Sequence, residues 1–150
     1  MRLDEYTKLD ATGLAQCIRK GEISATEAAE LGLRAIERVN PDLNAVVEVF
    51  QDRVEKPTAS DGLLAGVPIL NKDLSFSDAG RLQEMGSRLA EGYRPSFDST
   101  SVKRLKSAGL NIIGRTTTPE FGNSGLTENL LTGVTRNPWD TARTPGGSSG

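Results

Sequence analysis

Two hydrophobic spacings alternate along the chain, and the change from one to the other marks its elements. Residues 11–20 carry Leu14, Cys17 and Ile18 at helical spacing, with Asp10 or Thr12 as cap and Gly21 as stop. Ser24 followed by Glu27 is a capping-box pattern. Behind it, Ala29, Leu33, Ile36 and either Val39 or Asn40 make one apolar stripe of a second helix, which Asn40-Pro41 is expected to end. The period then shortens. Ala45, Val46, Val47 and Val49 predict a strand over 43–50, followed by a polar connector over 51–61. Residues 66–74 read as a second strand, and Pro68 near its start argues for an edge position or the strand's first turn, because proline cannot donate to a ladder. Residues 75–97 are polar, with Gly80, Gly86, Gly92 and Pro95, and predict a long loop containing a short helix near 87–91. Loops of that length are more often functional, or packed on another part of the molecule, than idle. A third helix over 98–108 starts at Asp98 or Ser99, turns Val102, Leu105 and Ala108 inward and Lys103, Arg104 and Lys106 outward, and stops at Gly109. Residues 110–114 are then a strand. Strand, helix, strand in that order favours parallel pairing and an α/β class. There are no internal repeats or heptads.

One residue sits oddly in this pattern. On a strand, Leu70, Lys72 and Leu74 share a face. Alternation alone reads Lys72 as a lysine whose stem packs while its amine reaches water. An amine withdrawn from water instead loses its preference for the charged form, and a neutral amine is a base.

Composition gives that alternative weight. The chain has 150 residues, enough for one domain with a real core, and no histidine. A Ser-His-Asp or Cys-His arrangement cannot be built from it, nor can a histidine-ligated metal site, so a general base must be Asp, Glu, Lys or Tyr. Apolar residues are 36% and charged residues 25%, with a net charge of −2, an ordinary globular balance that argues against a nucleic-acid or anionic-membrane surface. No apolar run approaches a membrane span, and Met1 to Tyr6 lacks the apolar segment of a signal peptide. Cys17 is the single cysteine, so no intramolecular disulfide can form, and a reducing cytoplasm is the expected location.

Ligands of open α/β sheets bind outside the carboxyl ends of strands. There the chain places Thr116 to Gly122, then Asn123, Ser124, Thr127 and Asn129. By position, Asn123 and Thr127 are substrate-binding candidates, with hydrogen bonding inside the loop as the simpler account. Asp73 either holds the local backbone, balances charge near Lys72 or is a solvated turn residue. Trp139 reads as a packing anchor and Cys17 as inert core. The chain ends Gly146-Gly147-Ser148-Ser149-Gly150, a run whose small residues let backbone approach something closely. It stops without a cap or a polar tail, and the expectation is a chain truncated within this run. A phosphate-binding loop would need a lysine within the run, opening a helix, and none is there.

Together these stretches resemble the amidase signature family. The resemblance rests on Ala65-Gly66-Val67-Pro68 leading to Lys72-Asp73, on Gly114-Arg115-Thr116 with Pro119-Glu120-Phe121-Gly122, on Thr135-Arg136-Asn137-Pro138-Trp139-Asp140, and on Gly146-Gly147-Ser148-Ser149-Gly150. It extends to Lys20-Gly21-Glu22-Ile23-Ser24 and to the residues from Val39 to Ala45. It implies the N-terminal portion of a single amidase domain, an α/β fold with a mixed sheet flanked by helices, and a Ser-Ser-Lys triad. Lys72 matches the family's basic lysine. Ser148 matches the bridging serine, which in the family follows a cis peptide bond, with Ser149 as the lesser alternative. The nucleophilic serine and the oxyanion amides are expected beyond residue 150. The implied reaction is hydrolysis of a carboxylic amide through an acyl-enzyme, with no cofactor and no metal. The implied partner is a small-molecule amide, with room for a homodimer and no role for nucleic acid or membrane. The glutamine-hydrolysing A component of the tRNA-dependent amidotransferase is the alternative within the family. Its usual Lys-Asp-Asn and Asp-Glu-Phe-Ala contrast with Lys72-Asp73-Leu74 and Pro119-Glu120-Phe121-Gly122 here, which favours a stand-alone amidase, such as those acting on linear or cyclic nylon-type amides. A non-catalytic interaction fragment is the second alternative, and the 150 residues alone are expected to be inactive.

Overall fold

The computed structural model describes residues 1–58 and 60–149; Ala59, in the expected connector, and Gly150, which closes the glycine-serine run, lie outside the described residues. A short helix α1 (Leu3–Tyr6), which no periodicity announced, precedes α2 (Ala11–Arg19). Asp10 caps α2 by accepting the Gly13 N–H at 2.7 Å, and Thr12 lies inside the helix. Ser24 and Glu27 cap α3 (Ala25–Leu43) reciprocally.

Helix α3 does not stop at Asn40-Pro41 as expected but runs through Pro41 to Leu43. Proline forfeits its own N–H bond here, yet the Asn44 N–H still closes on the Asn40 carbonyl at 2.8 Å. The Asn40 side chain accepts the N–H groups of Ala45 and Val46 and donates to the Val46 carbonyl, each at 2.8 Å. Asn44 ends the helix in the left-handed region at φ 50°. Of the two residues proposed for the end of the stripe, Asn40 is half-buried and Val39 is exposed.

The central sheet has the order β1-β3-β2. Strand β1 (Val46–Val49) runs antiparallel to β3 (Asn111–Thr116), and β2 (Pro68–Lys72) runs parallel to it. The sheet is mixed, and Pro68 opens an edge strand, where its missing donor costs nothing. Between β1 and β2 lies α4 (Gln51–Glu55), where the sequence reads as a polar connector. Val54 is its one buried residue, too little for a periodic signal. Arg53 fixes it by pairing with Asp78 across the sheet's edge.

Helix α5 (Thr100–Ser107), capped by Ser99, links β2 to β3 after the long loop, and Val102 is its buried contact. Lys106 points out of the core yet pairs with Asp78 and Asp98. The loop holds one 3₁₀ turn, Arg88–Ala90, capped by Ser87. A small hairpin, β4 (Glu128–Asn129) with β5 (Gly133–Val134), follows β3 and was not anticipated.

Apolar packing lies on both faces of the sheet. Leu14, Ile23, Ala28, Leu31 and Val67 join α2 and α3 to the start of β2. Ala29, Val54 and Ile113 form a second cluster, with Leu33, Ile36 and Leu70 against it. Phe50, Val102 and Ile112 pack on the opposite face. Because β2 and β3 run parallel, the residues after Lys72 and those after Thr116 leave the same end of the sheet.

Candidate functional site

Lys72 is the last residue of β2, and its register partner on β3 is Thr116. The next amide, of Asp73, donates to the Thr116 carbonyl at 3.1 Å, so the strand pair is still closed where the lysine projects. Lys72 is half-buried, and its Nζ donates to Ser148 Oγ at 2.9 Å, across 76 residues of sequence. Of the readings open for Lys72, the structure gives the amine a serine partner. Ser149 is exposed.

Ser148 arrives on a segment that passes close to other backbone. A Cβ on Gly147 would lie 2.8 Å from the Ser124 carbonyl oxygen, a distance real side chains do not show. The Gly147–Ser148 peptide bond is cis. Thr118 donates its hydroxyl to the Ser148 carbonyl at 3.1 Å, and Thr127 donates to the Gly146 carbonyl at 2.6 Å. Gly122 lies beside the serine: a Cβ there would stand 3.7 Å from Ser148 Oγ. The preceding residue, Phe121, sits at φ 50° and donates its N–H to the Met85 carbonyl at 2.8 Å. An open apolar cleft of about 460 Å³, lined by Met85, Leu89, Tyr93 and Phe121 among others, adjoins this turn.

The two substrate-binding candidates fall differently. Asn123 is exposed, just past the 3₁₀ turn Glu120–Gly122. Thr127 is buried, and its hydroxyl is committed to Gly146 rather than open to solvent. Trp139, expected as a packing anchor, is 94% exposed. Its loop closes on itself instead, through the Asn137 N–H to the Arg143 carbonyl and an Asp140–Arg143 ion pair.

Beneath Lys72, on the other face of the sheet, lies a buried charge cluster that sequence reasoning missed. Arg115 of β3 pairs through Nε with Glu48 at 2.8 Å and through Nη2 with Glu84 at 2.6 Å. Its Nη1 stands 2.9 Å from Asp73, out of hydrogen-bond alignment. Asp73 also accepts the N–H groups of Glu84 and Gly86. Of the roles open for Asp73, holding backbone is the one observed, and its charge partner is Arg115. Burial pushes the Asp73 carboxyl above its ordinary value, against the pull of Arg115 and the two amides. For Glu84 burial acts in the same sense, but the Gly92 N–H and Arg115 outweigh it, and its carboxyl ends below the ordinary value. Arg115 lies one residue past the strand expected over 110–114 and inside β3, so no alternation pointed to its burial. The carboxylates that bury it come from positions 48, 73 and 84, a convergence no local pattern carries.

A lysine amine against a serine hydroxyl, at the carboxyl end of a parallel strand pair and without histidine, is an arrangement for moving a proton to and from an oxygen nucleophile. Residues 27–150 match the family model described as Amidase. The chain is 40% identical over 144 residues to the 6-aminohexanoate-cyclic-dimer hydrolase of Paenarthrobacter ureafaciens, covering 94% of this chain and 29% of that protein. It is also 40% identical over 158 residues to the glutamyl-tRNA(Gln) amidotransferase A component of Thermobifida fusca (strain YX), covering 99% of this chain and 32% of that one. The solved structure of a 6-aminohexanoate cyclic dimer hydrolase complexed with substrate superposes with a TM-score of 0.87 at 41% identity, over 94% of this chain and 30% of that chain. The chain thus spans about 30% of the length of the relatives it matches.

Proposed function

The chain belongs to the amidase family, and from that premise we propose that the complete protein hydrolyses the C–N bond of a carboxylic amide to an acid and an amine or ammonia. The observation that carries this reading is the 2.9 Å contact between Lys72 Nζ and Ser148 Oγ. A serine hydroxyl is a poor nucleophile until a neighbour takes its proton. In this reading the nucleophilic serine lies beyond residue 150. Its proton passes to Ser148 Oγ as the Ser148 proton passes to the Lys72 amine. The freed serine oxygen bonds to the amide carbon, and the carbonyl π pair moves onto its oxygen. Collapse of that adduct breaks the C–N bond, and the proton held by Lys72 returns through Ser148 to the leaving nitrogen. Water then attacks the acyl-serine by the same relay, releasing the acid and restoring the serine.

A second reading has its own support: the amidotransferase component is as similar in sequence as the cyclic-dimer hydrolase. It would free ammonia from glutamine by the same chemistry within a complex. Leu74 after Lys72-Asp73, and Pro119 and Gly122 around Glu120-Phe121, favour the stand-alone hydrolase.

The test is turnover by the full-length protein on 6-aminohexanoate cyclic dimer, p-nitroacetanilide and glutamine, with and without the other amidotransferase components. Hydrolysis of an amide by the protein alone is expected, with Lys72→Ala and Ser148→Ala each lowering kcat at least ~100-fold while the thermal midpoint holds. A folded Lys72→Ala enzyme with near-normal rates ends the lysine-base mechanism. Glutaminase activity that appears only with the other components reverses the ranking of the two readings.

A further inference from the structure

Ser148 lies on a segment that cannot place itself. Gly146 and Gly147 have no side chains, and Ser149 is exposed. Apart from a local bond from the Gly146 N–H to Thr144 Oγ1, three hydrogen bonds tie residues 145–149 to the rest of the protein among the described residues. One is the Lys72 contact itself. The other two come from Thr118 and Thr127, each 1% exposed, and neither hydroxyl has another hydrogen-bond partner among the described residues.

We propose that Thr118 and Thr127 are positioning residues for the Lys72–Ser148 pair, setting the serine against the amine by holding the carbonyls on either side of Gly147; this rests on the function proposed above. Thr118 stands two residues beyond Thr116, the register partner of Lys72. The base therefore ends β2, and one tether follows closely on the end of its partner strand β3. The path from Lys72 Nζ through Ser148 and its carbonyl to Thr118 and back along β3 to β2 is a closed ring. Its remaining freedom is the torsions of two side chains and one serine. The frame behind the tethers is itself bonded. The Thr118 carbonyl accepts the Asn129 side-chain amide at 2.9 Å. The Thr127 carbonyl accepts the Thr135 N–H at 3.0 Å, and the Thr135 hydroxyl meets that of Thr117 at 2.8 Å. Thr127 fixes the far end of the glycine pair, so Ser148 cannot swing about Gly146.

Neither threonine touches the reacting atoms, and their removal acts through the geometry of the relay. A misplacement of about 1 Å in a reacting group can cost on the order of a hundredfold in rate. The experiment uses full-length protein and whichever of the cyclic dimer, p-nitroacetanilide and glutamine the wild type hydrolyses. Thr118→Val and Thr127→Val keep side-chain shape and remove the donor. Each is expected to lower kcat about 10- to 100-fold with KM within about twofold. Thr118→Ser and Thr127→Ser keep the donor and are expected within about threefold of wild type. Rescue by serine, with kcat expressed per folded enzyme from the fraction folded in thermal unfolding, separates positioning from bulk stability, which lowers apparent kcat only through the fraction folded. Where a valine variant does not fold, the alanine variant of the same residue is judged by the same criteria. Wild-type kcat in a folded variant lacking either hydroxyl overturns that residue's role. So does a serine variant as slow as its valine counterpart. If Lys72→Ala and Ser148→Ala are inactive while both valine variants are normal, only this inference fails. If Lys72→Ala retains activity, the function itself fails.

Discussion

Replacing Arg115 by methionine tests the charge cluster beneath the site. The substitution keeps a long unbranched side chain and removes the one cation among three carboxylates. The Arg115 side chain is 7% exposed, that of Asp73 2% and that of Glu84 10%, while Glu48 is more open at 29%. Water can compensate Glu48 but not the other two. Burial works against the charge of Arg115, yet Asp73, Glu84 and Glu48 outweigh it and hold the guanidinium's proton more tightly than usual. Without it, Asp73 and Glu84 are left as buried, like-charged neighbours. Breaking a buried pair by removing one partner costs about 3–5 kcal/mol, a large share of the roughly 5–15 kcal/mol that holds a typical protein folded. The cost has a pH signature. Carboxyls raised above their unfolded values bind a proton more readily in the folded state, so they disfavour folding at high pH, and the penalty is relieved as pH falls through the raised values. Asp73 is raised already and is expected to rise further. Urea unfolding of full-length Arg115→Met at pH 7.5 and 5.5 should therefore show a loss of about 3–5 kcal/mol that narrows at the lower pH. Amide exchange should speed first at Glu84 and Gly86, whose N–H groups Asp73 holds. A loss under about 1 kcal/mol, the scale of an exposed pair, or a gap independent of pH, would refute the account of a buried, mutually dependent cluster.

The remaining expectations concern capping, packing and pH. Asp78 is raised by burial, but its hydrogen bonds from Arg53 and Lys106 outweigh this and leave its carboxyl below the ordinary value. Its contribution is full above the unfolded aspartate value of about 3.9 and is lost as pH falls through the lower folded value. Asp78→Asn should thus lower stability at pH 7 by an amount that shrinks toward pH 3 in urea titrations; a gap constant with pH contradicts this. Ser24→Ala removes the acceptor for the Glu27 N–H at the start of α3 and should cost about 1 kcal/mol in thermal unfolding. Gly86→Ala would drive a Cβ into the carbonyl of Thr118 at φ 63°. Overpacking of about 1–3 kcal/mol, with left-handed strain of roughly 1–2 kcal/mol added, should lower both the thermal midpoint and kcat; a midpoint and rate equal to wild type would show that the two loops are free to separate.

Much of the framework was legible. Capping residues announced α2, α3 and α5, because a cap is a local contact between a side chain and backbone three residues away. Alternation and order announced the parallel pair β2–β3 with its crossover helix. Pro41 misled, because a proline forfeits only its own N–H bond: the Asn44 N–H still closes on the Asn40 carbonyl, and the Asn40 side chain holds the chain just past the helix. Helix α4 and the β4–β5 hairpin were silent, since each is too short for a period and is held by partners distant in sequence.

By itself the sequence determined the chemistry on offer: no histidine, a lysine at the end of a strand, and a serine in a glycine-rich run. These follow from composition and local spacing, which survive in one dimension. Only the tertiary structure decided that Lys72 Nζ and Ser148 Oγ stand 2.9 Å apart, that Thr118 and Thr127 hold the serine's segment, and that Arg115 gathers three carboxylates. Each of these joins residues brought together by strand register and loop return, and a glycine-rich segment acquires its position from what it is bonded to rather than from its own residues.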